Sequence, residues 1–164
     1  MKNWISSFAA TTILLATSSL AFADVTASDA WVRGTVDGQK ETAAFMTLKS
    51  SEATQLVKGS SPVAKMVQIH QETMSGGMMK MRPVKALDLP ANSAVELKPG
   101  TYHVMLMGLK KPLAKGEMVP VKLSFRDKGG AKSTLEVMAE VRELTEPNAP
   151  MKMDGMKDDM KMQH

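Results

Sequence analysis

An all-β sandwich or barrel followed by a mobile tail is the architecture this sequence predicts. Two observations predict it. From about Asp24 to Glu146 the chain is a series of short apolar or alternating runs, broken at short intervals by turn-forming residues, the pattern of many strands packed into a sandwich or barrel. After Glu146 the composition changes, and between Met151 and His164 no aliphatic or aromatic side chain occurs. Helical signal is almost absent: only Ala114–Gly116 and the stretch near Asp88 hold room for a single turn.

The elements follow in order. Met1 and Lys2 form a short positive start, Ile5 to Leu20 carries no charge, and Ala21-Phe22-Ala23 is a small-x-small cleavage site before Asp24. This is the layout of a secretory signal peptide over residues 1–23. The apolar run is rich in Ser and Thr and falls short of a membrane span, and no second span follows, so the expectation is export to the periplasm with no membrane span in the mature protein. The expected strands are Ala27–Arg33, Ala43–Ser50, Gln55–Ser60, Ala64–Met74, Met78–Leu87, Ala94–Leu97, Tyr102–Leu106, Val119–Arg126 and Thr134–Val141. Asp37-Gly38, Ser61-Pro62, Ser75-Gly76-Gly77, Pro90-Ala91-Asn92, Pro99-Gly100 and Gly129-Gly130 separate them. Residues 24–146 thus read as one domain. The tail, residues 147–164, cannot bury enough apolar surface to offset its ordering entropy. Met153, Met156 and Met160 would share a helix face, but Gly155 and the short length oppose a stable helix.

Composition removes several functions. Among 164 residues there is no Cys, which excludes a disulfide framework, a thiolate zinc site and a Cys nucleophile. The net charge of +4 is scattered and aromatics make up 4%, which argues against a nucleic-acid surface. No G-x-S-x-G, Gly-rich phosphate loop or H-E-x-x-H occurs, so an enzyme is not expected. A monomer is expected. What stands out is methionine, 16 residues in all.

Three histidines, His70, His103 and His164, are the nitrogen ligands on offer, and the first two lie among methionines. Thioether sulfur is soft and suits Cu(I) rather than Zn, Mg or Ca, and imidazole suits copper as well. Alternation along Tyr102–Met107 puts His103, Met105 and Met107 on one face and Tyr102, Val104 and Leu106 on the other, the second set reading as core. A two-residue turn at Ser75-Gly76 would pair Met74 with Gly77 and set His70 directly across from Met81, whereas a three-residue loop would put them on opposite faces. Met46, Met66, Met118 and Met138 read as core filler.

The spacing of His70, Met81, His103 and Met105 is H-x10-M-x21-H-x-M. It resembles the signature of the periplasmic copper chaperone family often called PCuAC. Thr42-Ala-Ala-Phe-Met-Thr-Leu, Ser60-Ser-Pro-Val-Ala, Val95-Glu-Leu-Lys-Pro-Gly and Tyr102-His-Val-Met-Leu-Met-Gly-Leu-Lys resemble segments of that family in the same order, from about Ala30 to Phe125. The resemblance implies a cupredoxin-like Greek-key sandwich or barrel with Cu(I) held by His70, Met81, His103 and Met105. It also implies delivery to a respiratory oxidase, at the CuA centre of cytochrome c oxidase subunit II, or to another copper-handling protein. In the family pattern a Met can follow the first His; here Gln71 stands there. Met79 and Met107 are spare thioethers. Some members carry a C-terminal extension that takes further copper. Here Met151, Met153, Met156, Met160, Met162 and His164 are the candidates for a second Cu(I) or Cu(II), the thioethers favouring Cu(I). A blue-copper electron carrier is excluded because it needs a Cys thiolate. The rival reading is a copper-buffering or resistance protein, which would use the same ligands without a delivery partner.

Overall fold

The computed structural model describes residues 23–143. The export signal expected at residues 1–23 lies outside them but for Ala23, and the tail expected at residues 147–164 lies wholly outside. Ten strands form in chain order: β1 Val25–Arg33, β2 Glu41–Ser50, β3 Thr54–Ser60, β4 Ala64–Ser75, β5 Met78–Val84, β6 Leu87–Leu89, β7 Ala94–Leu97, β8 Tyr102–Leu109, β9 Met118–Asp127 and β10 Lys132–Arg142. Every expected strand is present within a few residues of its expected ends. The long run Met78–Leu87 is two strands, because the chain leaves the pairing with β4 after Val84 and re-forms beside β3 at Leu87.

The strands join in the order β5-β4-β8-β7-β2-β1-β10-β9-β3-β6, with β8 also paired to β2. The consecutive strands β2, β3 and β4 have no pairing with one another, so the chain crosses from one half of the sheet to the other and back, as in a Greek-key sandwich. The halves close face to face. Val32, Leu48, Leu56, Val104, Leu106, Val121, Leu123 and Phe125 lie between them, sealed from solvent. At Gly59 the approach is closest: a Cβ there would sit 2.5 Å from Val67 Cγ1, so only glycine lets β3 lie against β4. On β9 the odd positions Val119, Val121, Leu123 and Phe125 are buried and alternate with more exposed side chains, as the period-2 pattern requires.

A bulge in β1 matters for the outer surface. Ser28 pairs with Thr47 but Trp31 pairs with Phe45, so Asp29 and Ala30 share one partner position, and Asp29 takes φ 50°. The extra residue reverses the alternation. Val25 and Ala27 point inward before it; Val32 is buried after it, which turns Trp31 and Arg33 to the outside.

Candidate metal centre

The outer face of β4, β5 and β8 carries the chemistry. Pleating places Met66, Gln68, His70, Glu72 and Met74 of β4 on this face with His103, Met105 and Met107 of β8 and Met79, Met81 and Pro83 of β5. His70 lies directly opposite His103, with ring centroids 5.7 Å apart. One rung along, Met105 lies opposite Gln68, and one further, Met107 lies opposite Met66. On the other edge of β4, Met81 lies opposite Glu72 and Pro83 opposite His70.

Met81 therefore shares the face of His70, as the even register requires, but stands diagonal to it rather than directly across. The turn is Gly76-Gly77, not Ser75-Gly76, so the ladder is moved by two residues and the side chains keep their faces. Both glycines have positive φ, 61° and 76°, which a two-residue turn matched to strand twist demands and Ser75 would resist. Gln71, where the family signature can carry a Met, points to the other face. Its amide donates to the Tyr102 hydroxyl at 3.0 Å and accepts from Arg82 at 2.9 Å. Three of the four methionines expected in the core are half-exposed, namely Met66, Met118 and Met138; only Met46 is buried. They occupy the outward positions of their strands, beside inward Val67, Val119 and Val137. Tyr102, Val104 and Leu106 pack into the core as expected.

The two imidazoles are prepared for a ligand. His103 is only 2% exposed, yet its Nδ1, like that of His70, is buried with no hydrogen-bond partner. Buried nitrogens without partners are rare and costly. With the Gln68 amide oriented so that Oε1 faces the ring at 3.2 Å, His70 Nε2 is the donor, and the Nδ1 lone pair is left free, the arrangement that orients a metal-binding histidine. Burial lowers the His70 pKa, with Glu41 opposing. Burial lowers that of His103 too; the facing His70 adds to the shift, Glu72 opposes it and Arg33 adds a smaller push. Both shifts favour the neutral ring, the form that binds metal.

Residues from distant strands complete the surroundings, and sequence reasoning missed them. Phe45 of β2 lies beside the His103 ring, 6.0 Å between centroids, and Trp31 stacks on Phe45 at 4.5 Å. The Arg33 guanidinium covers Phe45 at 5.7 Å. This aromatic row buries the back of His103. Glu72 Oε2 accepts from Gly100 N at 3.0 Å, and its backbone N–H donates to Thr101 O, tying the Pro99–Thr101 loop to the site. Met81, His103, Met105, Glu72, Phe45 and Pro99 line one depression of about 140 Å³. His70 adjoins it through His103. Among the described residues no group of three or more His, Asp or Glu side chains is placed for a metal ion, so the donors here are two nitrogens and thioethers, a soft set. The tail candidates Met151, Met153, Met156, Met160, Met162 and His164 lie outside the described residues.

Comparison with known proteins agrees with this fold. A copper-bound PCuAC domain from PmoF2 has the same fold at 21% identity and a TM-score of 0.54, over 72% of this chain and 93% of that one. The solved structure of CuI-DR1885 from Deinococcus radiodurans is 38% identical, with a TM-score of 0.55, over 71% of this chain and 76% of that one. A protein of Leifsonia xyli subsp. xyli, "Putative lipoprotein Lxx21020", is 36% identical over 127 residues, 76% of this chain and 73% of that protein. The profile of the family described as "Putative lipoprotein LpqE-like" matches residues 25–141. On that match and that identity, the chain belongs to the LpqE-like family.

Proposed function

We propose that this protein is an exported copper chaperone that carries one Cu(I) on His70, Met81, His103 and Met105. One observation carries the reading: two buried, unpartnered Nδ1 atoms on facing histidines, flanked by thioethers on the same sheet face. Cu(I) is the ion that such donors select. Neutral donors leave the ion its single positive charge and no proton need return when it departs, which suits a carrier. The relative from Deinococcus radiodurans was solved with Cu(I), which supports the same cargo here. Residues 1–23 act as the export signal, residues 24–146 form the copper-binding domain of a periplasmic monomer, and the tail captures a further copper through Met151, Met153, Met156, Met160, Met162 and His164.

The acceptor is a copper-handling protein, with the CuA centre of cytochrome c oxidase subunit II as the specific proposal. X-ray absorption on the Cu(I)-loaded protein tests the site: the expected shell mixes nitrogen and sulfur, and a shell without sulfur overturns it. Mixing the loaded protein with an apo CuA domain tests delivery. Mixed-valence CuA absorption after oxidation is expected; retention of all copper would instead mean a buffering protein.

A further inference from the structure

The tip of the β4–β5 hairpin holds thioethers that the four-ligand site does not use. Met74 and Met79 are direct cross-strand partners one rung from the Ser75–Met78 pair that flanks the Gly76-Gly77 turn, and partners of this kind have Cα atoms about 4.5–5.5 Å apart. They lie on the face that carries His70, and Met81 follows Met79 by two residues on the same face of β5. Met74, Met79 and Met81 are 69%, 59% and 53% exposed. A pair of thioethers at the hairpin tip is thus followed, on the next rung of the same face, by Met81, and on the rung after by His70. The stretch offers no burial that would explain apolar side chains: every residue of β5 before Val84 is exposed. Two sulfurs without an imidazole are a weaker set than the buried site, and their flexible side chains can turn toward a common ion.

We infer that Met74 and Met79 form a second, weaker Cu(I) site at the hairpin tip, and that Met81, shared with the four-ligand site, passes the ion between the two. The sharing rests on the function proposed above; the Met74–Met79 site does not. Thioethers exchange on the ion one at a time, so copper stays Cu(I) and no proton or electron moves.

The test uses the full mature chain with carbon-13 in its methionine methyl groups, the signals assigned by single Met→Leu changes. It is titrated with Cu(I) without oxygen, and with Ag(I) as a redox-inert check. The first equivalent should move the His70 and His103 ring signals and the Met81 and Met105 methyls. Further Cu(I), up to a third equivalent so that the tail is also supplied, should move the Met74 and Met79 methyls. M74L/M79L should keep the first step, take up one equivalent less in total, and slow Cu(I) transfer to a chromogenic chelator several-fold. Unmoved Met74 and Met79 methyls at three equivalents, or an unchanged transfer rate in the double variant, overturn the inference. If those methyls move while the histidine rings never do, the four-ligand site fails and the hairpin site stands.

Discussion

Two groups of exposed methionines sit far apart on this molecule and differ in what surrounds them. Met118 and Met138, at the β9–β10 hairpin, are 52% and 51% exposed, much as Met81 is at 53%. Met118 faces Glu140 and Met138 faces Pro120 across the ladder. No histidine lies on either strand. The β4–β5–β8 group shares its face with two imidazoles whose Nδ1 atoms have no partner. Sulfur alone is therefore no sign of a site, since methionine is equally at home as an adaptable apolar side chain. What distinguishes a site is a nitrogen donor held neutral and left unpaired beside the sulfur.

The comparison can be broken most directly at His103. His103→Ala should weaken Cu(I) binding by more than the roughly 10–100-fold that loss of a supporting residue costs, measured by competition with a chromogenic chelator; a loss no larger than that of Met74→Leu would refute the assignment. Gln68→Ala comes next. It leaves every donor in place but releases the His70 ring from its 3.2 Å contact, and a loss of about tenfold is expected. On the opposite face of β8, Leu106→Ala should lower apo stability by about 2–5 kcal/mol in denaturant unfolding, while the refolded protein keeps its copper ligands.

Acidification sharpens the same contrast. Both pKa values are lowered by burial, so the unfolded chain takes up protons at an ordinary imidazole value near 6.5 before the folded one does. Stability of the metal-free protein should be full above that value and decline as pH falls from it to the lowered folded values, then level off. Cu(I) affinity should persist through the ordinary imidazole range and fall below it, with a slope of at most about two protons. A fall centred near 6.5 would mean that the rings are not held neutral by burial. The smallest effect belongs to M118L/M138L, for which neither copper binding nor stability should change; a loss of Cu(I) there would erase the distinction between the two methionine groups.

Much of this was legible from local pattern. Alternation alone places His103, Met105 and Met107 opposite Val104 and Leu106, and the double glycine announces the hairpin. Which two residues make the turn was not legible, because Ser75-Gly76 and Gly76-Gly77 preserve the same faces and differ only in where positive φ falls. Trp31, Arg33 and Phe45 were missed for another reason. They reach the site through strand pairings far apart in sequence and through a bulge. The shift of buried positions from Val25 and Ala27 to Val32 was the available sign of that bulge. Met66, Met118 and Met138 point outward despite their apolar character because strand parity, marked by their inward valine neighbours, decides which face they take.

The place of β5 at the end of the sheet has a consequence for how the site can open. His70, His103 and Met105 stand on strands paired on both sides, whereas Met81 stands on a terminal strand bonded to β4 alone. Pro83 contributes no N–H to the free edge, and Lys80 and Arg82 add charge beside it, features that keep such edges from joining another chain. Separating β5 from β4 disturbs little buried apolar surface, so it belongs to the low-cost openings that proteins undergo well below global unfolding. The proposed site can thus lose one of its four donors by local fraying while the other three and the core stay in place. Hydrogen exchange should reveal this as faster exchange along β5 than along β8, slowed when the site is filled.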